Sequence, residues 1–157
     1  MTPEQDILVD LLEQAERSAK GLTATIEMIG DFPHDEAAFD TMPPMQSMAT
    51  TAMLKQVEQL EGALHGAFRV ALKMMGVSLK GLYPLDIGEK MVELDILDDG
   101  ATWLAAVKLR NELVHEYPFD ITSRFNRTRQ AFDIVPTLQD ALARFRRFTV
   151  ARKLLDA

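Results

Sequence analysis

Arg110, Asn111, His115 and Tyr117 fall within a single eight-residue stretch, Arg110-Asn111-Glu112-Leu113-Val114-His115-Glu116-Tyr117. Asn111 and His115 are four apart, so on a helix they lie on one face, about a turn from each other. Arg110 flanks them. Its guanidinium can grip a phosphate at two points, the amide of Asn111 can orient, and the imidazole of His115 titrates near neutrality. These groups suit metal-independent cleavage of RNA. A base removes the ribose 2′-hydroxyl proton, the oxygen attacks the adjacent phosphorus, and the arginine stabilises the growing negative charge. One subunit supplies one such histidine, whereas attack with protonation of the leaving group is helped by two proton-transfer groups. A two-fold homodimer would supply both His115 and Arg110 twice. The same residues also allow a purely structural role. Arg110 can pair with Glu112 or with a carboxylate of another helix, Asn111 can bond to a neighbour, and the helix dipole favours His115 at a helix C-terminus.

These side chains need a helix to hold them, and the apolar spacing supplies one through Trp103, Leu104, Val107, Leu109, Leu113 and Val114. It follows the turn Asp98-Asp99-Gly100 and ends before Pro118, leaving Tyr117 at the helix exit. Upstream, Thr2-Pro3-Glu4-Gln5 reads as a capping box. It opens a long helix striped by Leu8, Leu12, Ala15, Ala19, Leu22, Ile26 and Ile29 and stopped at Gly30. A second helix spans about Thr50 to Met75, with Gly76 as terminator, and its Gly62 and Gly66 offer close approach to another helix. Asp86-Ile87-Gly88-Glu89 resembles a capping box for a short helix. A final long helix begins around Ile121 to Ser123, reaches about Leu155, and carries a predicted kink at Pro136. Residues 31–49, with Pro33, Pro43 and Pro44, form a long loop or an excursion with a short helix. Met42, Met45, Met48 and Met53 lie in or just beyond that stretch and read as gap fillers. No alternating strand pattern occurs. The expected fold is all-α: an antiparallel up-and-down four-helix bundle with a short extra helix, forming one domain over residues 1–157.

Composition narrows the function classes. Apolar residues make up 47% and charged residues 26%, an ordinary globular balance. No apolar run approaches the roughly 18 to 20 residues needed to span a bilayer. The acidic start Met1-Thr2-Pro3-Glu4-Gln5-Asp6 lacks the basic opening of a signal peptide, and the absence of cysteine suits a reducing cytoplasm. A cytoplasmic protein with no membrane association, no cofactor and no metal is therefore expected. The histidines (His34, His65, His115) are too scattered for a two-histidine metal motif. The net charge of −7 is uneven: residues 1–100 carry 7 Lys+Arg against 18 Asp+Glu, and residues 101–157 carry 10 against 6. A polyanion could approach the C-terminal part despite the acidic total, though Arg144, Arg146, Arg147 and Arg152 equally read as a solvated helix face. Trp103 reads as core, His65 as a satisfied surface or core residue, and Asp98 and Asp99 as a helix-start turn.

The stretch Arg110 to Tyr117 resembles the Arg-x4-His-x-Tyr motif of the HEPN superfamily, specifically HepT-like toxins. Its place in the penultimate long helix of a small bundle is similar too. Ile96-Leu97-Asp98-Asp99-Gly100-Ala101-Thr102-Trp103-Leu104 resembles the nucleotidyltransferase substrate-binding proteins, a related branch. The similarity spans about residues 50–155. The resemblance implies a metal-independent endoribonuclease toxin, with Arg110 and His115 catalytic and Asn111 supportive. It also implies a nucleotidyltransferase antitoxin as partner, which transfers AMP to Tyr117 and so sets a bulky anion beside the site. The second branch implies the alternative: a non-catalytic substrate-binding subunit of a nucleotidyltransferase.

Overall fold

The computed structural model describes residues 1–115 and 118–156, and among these there are six helices and no strand. They are α1 (Pro3–Ile29), α2 (Glu36–Asp40), α3 (Pro44–Met74), α4 (Pro84–Glu93), α5 (Gly100–His115) and α6 (Ile121–Ala151). No helix among the described residues is long and apolar enough to cross a membrane. The buried side chains form one continuous core, with α1 lying along α3, α4 against α5, and α3 in contact with α5 and α6 as well.

The capping box at Thr2 forms as its residues predict. The Gln5 N–H donates to Thr2 Oγ1 at 3.2 Å, and the Thr2 N–H donates to Gln5 Oε1 at 2.9 Å. Leu8, Leu12, Ala15, Leu22 and Ile29 are buried, but Ser18 and Thr25 take the innermost places beside Ala19 and Ile26, which are half-buried. Two small hydroxyl residues are tolerable there because a helix can satisfy them locally: Thr25 Oγ1 donates to the Gly21 carbonyl at 2.9 Å. Gly30 ends α1 at φ +64°, where a side chain would be strained.

The 31–49 stretch is an excursion with a short helix. Asp35 caps α2 through the Ala38 N–H at 2.8 Å, and Phe39 is buried against Phe125 at 5.6 Å between ring centroids. Phe32 packs on Phe132 at 5.1 Å, so an aromatic cluster pins the excursion to α6. The second long helix starts at Pro44, a turn and a half before the apolar stripe begins, because Pro at the first helical position needs no N–H partner. This early start corrects the expected role of the methionines. Met53 is fully buried, but Met45 and Met48 stand exposed on the outer side of the added turns.

Short α4 starts at Pro84 rather than at Asp86, whose carboxylate instead accepts the Tyr83 N–H at 2.8 Å. Asp99 opens α5 by accepting the Ala101 N–H at 3.1 Å and the Thr102 hydroxyl at 2.9 Å. These bonds, the Thr102 hydroxyl first, hold its carboxyl below the usual range. Of the two glycines proposed for close approach, Gly66 faces α1, where an added Cβ would sit 3.3 Å from Leu11, while Gly62 has open space around it. In α6, Asp120 caps the Ser123 N–H at 2.9 Å and the helix runs unbroken through Pro136 to Ala151. Its end turns back on Thr149, whose carbonyl accepts the Leu154 N–H at 2.9 Å.

Candidate functional site

Arg110 to His115 of the polar motif occupy the last turn and a half of α5, and the geometry of that helix separates them. Arg110 and His115 are five residues apart, about 140° around the axis, whereas Asn111 and His115 are about 40° apart, as are Arg110 and Val114. Arg110 is half-buried and reaches α3, where its Nε donates to Glu61 Oε2 at 3.0 Å. Asn111 and His115 are exposed and bond to no other described side chain. Glu112 pairs with Arg127 of α6 at 3.4 Å rather than with Arg110. The carboxylate partner that the sequence left open for Arg110 is therefore Glu61. Tyr117, the expected acceptor of AMP, lies outside the described residues.

Glu61 is the unexpected member of this region. It sits in the apolar stripe of α3 at 1% exposure, and its Oε1 has no hydrogen-bond partner. Burial pushes its carboxyl up to about 7, against the opposing pull of the Arg110 charge and hydrogen bond. One turn along α3, His65 accepts the indole N–H of Trp103 at its Nδ1, 3.2 Å away, and their rings stack at 6.0 Å. Burial, with the charges of Arg69 and Arg110 beside it, lowers the imidazole to about 4. His65 is thus a neutral acceptor at pH 7, and Trp103, at 1% exposure and 4.9 Å from Phe68, is core. The clue to Glu61 was present in the sequence: a carboxylate standing where the helical period asks for an apolar side chain. Nothing in the spacing tied it to a residue 49 positions away.

A groove of about 400 Å³ opens between α1, α3 and α5, lined by Gln14, Arg17, Gln59, Gly62, Arg110 and Val114, among others. Asn111 and His115 lie outside it, on the neighbouring face of α5. Within one chain, then, a guanidinium faces one groove and an imidazole faces solvent. The pair can act on one phosphodiester only across two copies or through a substrate that wraps the helix end. The upstream carboxylates separate too. Asp99 caps α5, whereas Asp98 accepts from Arg144 Nη1 at 2.9 Å.

Comparison with known proteins finds no matching family model, no matching curated protein and no matching solved structure.

Proposed function

We propose that the chain is a HEPN-type, metal-independent endoribonuclease that works as a homodimer. Its catalytic groups are Arg110, Asn111 and His115, presented by an antiparallel up-and-down arrangement of the four long helices. The observation that carries this reading is the unequal treatment of the motif. Arg110 is fixed through one nitrogen by a buried carboxylate, while Asn111 and His115 stand exposed and bond to no other described side chain on the last turns of the same helix. In a two-fold pair, the α5 ends of two copies would bring the His115 of one beside the Arg110 of the other. One His115 takes the 2′-hydroxyl proton, and the 2′-oxygen attacks phosphorus. The bond to the 5′-oxygen breaks as the second His115 protonates it, leaving a 2′,3′-cyclic phosphate and a 5′-hydroxyl end. Arg110 offsets charge on the non-bridging oxygens. A cytoplasmic nucleotidyltransferase antitoxin that adds AMP to Tyr117 would place a bulky anion beside His115 and obstruct RNA.

His115→Ala should lower RNA cleavage by a factor on the order of 10² or more while circular dichroism shows the helices intact. Equal cleavage by both proteins removes the proposal. The alternative, a non-catalytic substrate-binding subunit of a nucleotidyltransferase, draws on the engagement of Arg110 by Glu61 and on the exposed carboxylates Asp95 and Asp98 around Arg144. It expects stable co-purification with such an enzyme and no cleavage by the wild type.

A further inference from the structure

The groove between α1, α3 and α5 sets donors that the proposed cleavage does not use beside one, Arg110, that it does. Arg17 from α1 and Arg110 from α5 both line it, joined by the amides of Gln14 and Gln59 and the hydroxyl of Ser18. Arg17 makes no hydrogen bond or ion pair with any described residue. Arg110 spends only its Nε on Glu61, so the remaining N–H groups of its fork are unspent. The carboxylate that lines the groove, Glu58, is drawn to Lys55 at 3.1 Å. Gly62 lines the floor, and a Cβ there would meet nothing within 4 Å, so the cleft is open down to the α3 backbone. Two guanidiniums, two amides and a hydroxyl around an open floor make a site for an anion bearing several oxygens.

We propose that this groove is a phosphate subsite for single-stranded RNA, in which Arg17, as a positioning residue, holds the backbone phosphate next to the one that Arg110 contacts. This rests on the nuclease reading for the identity of the anion. Single-stranded RNA fits because its backbone can follow the helix end from the groove to the exposed face that carries His115. A narrow cleft of this size also admits one phosphate and its sugar more readily than a duplex.

The test is binding of a fluorescent 2′-O-methyl RNA dodecamer, which lacks the attacking hydroxyl and cannot be cut, measured by anisotropy across a salt series. Arg17→Ala should weaken binding about fivefold to tenfold and flatten the salt dependence by about 0.7 in log–log slope, the loss of one contact to a single strand. Arg17→Lys should recover part of the affinity. Gly62→Glu, which sets a carboxylate on the groove floor at a position with room for it, should weaken binding at least as much. Arg152→Ala, at an exposed arginine that does not line the groove, should bind as the wild type does. If Arg17→Ala and Gly62→Glu bind normally, or if Arg152→Ala loses as much as Arg17→Ala, the subsite is refuted while cleavage by the wild type can still stand. If binding depends on Arg17 but natural RNA is never cut, the subsite holds and the nuclease reading falls. A wild type that binds no RNA removes both.

Discussion

Glu61 and His65 are one turn apart on the same buried stretch of α3, yet burial moves their protons in opposite senses. Glu61 keeps a proton up to about pH 7 in the folded chain, whereas the unfolded chain releases it near the ordinary value of 4.5. Between those values the folded state binds more protons, so this residue makes stability fall as pH rises, by about 3 kcal/mol across the window. His65 titrates near 4 when folded and near 6.5 when unfolded. Across that range the unfolded state binds more protons, and stability rises with pH, by about 2 kcal/mol once solvent screening of the partly exposed ring is allowed for. In the wild type the two slopes largely cancel. Glu61→Gln, which keeps an acceptor for Arg110, should unmask a rise in the urea midpoint between pH 4 and 6.5. His65→Gln should unmask a fall between pH 4.5 and 7. Parallel profiles for the two variants would refute this account. The sequence marked Arg110, Asn111 and His115 by type and spacing, but it could not divide them. Which face of α5 is buried depends on what α3, α4 and α6 present to it.

At the scale of elements, the crossing of α4 and α5 depends on two small residues. A Cβ on Gly88 would lie 3.0 Å from Trp103 Cβ and 3.2 Å from the Gly100 carbonyl oxygen, neither of which can move without shifting a fully buried indole or the backbone. Gly88→Ala should therefore destabilise by about 1–2 kcal/mol, the overpacking cost outweighing the better helix propensity of alanine. Gly62→Ala is the opposite case. With nothing within 4 Å of the new methyl, it should stabilise by about 0.5–1 kcal/mol. Equilibrium urea unfolding of the two variants reads both effects, and a stable Gly88→Ala protein would mean the helices do not cross so closely. The helices themselves were largely legible. Capping residues, prolines and apolar stripes located the four long ones, because those signals act within a turn or two. The start of α3 was misplaced by six residues because Met45 and Met48 add no buried face, and a helix extended by Pro44 into solvent leaves no apolar period to read.

Across the whole molecule, the charge asymmetry along the chain is largely offset in space. Arg144 donates to Asp95 at 2.8 Å, Asp98 at 2.9 Å and Asp140 at 3.2 Å, and it also binds the Asp95 carbonyl at 2.8 Å. Arg146 pairs with Glu16 on α1. These carboxylates, Asp98 first, hold Arg144 firmly in its charged form. The basic C-terminal part thus clamps the turn between α4 and α5 and the flank of α1 to α6, and much of its charge is not left for a polyanion. Arg144→Ala should lower the melting temperature by about 3 °C, with a smaller loss in high salt, since these pairs lie at the surface. No change in melting at low salt would show the cluster to be incidental.

By itself the sequence determined the four long helices, the Thr2 capping box and the polar tail of α5, because each rests on the 3.6-residue period and on hydrogen bonds made within a few residues. It also marked Trp103 as core, since an apolar face buries what stands on it, but left His65 open between surface and core. Only the tertiary structure decided that Glu61 meets Arg110 across 49 positions, that Arg17 shares a groove with it, and that His115 faces the other way. Those outcomes depend on how the helices rotate about their axes when they pack. That rotation is set by which small residues allow close approach and by the shape of the shared core, neither of which has a local signature.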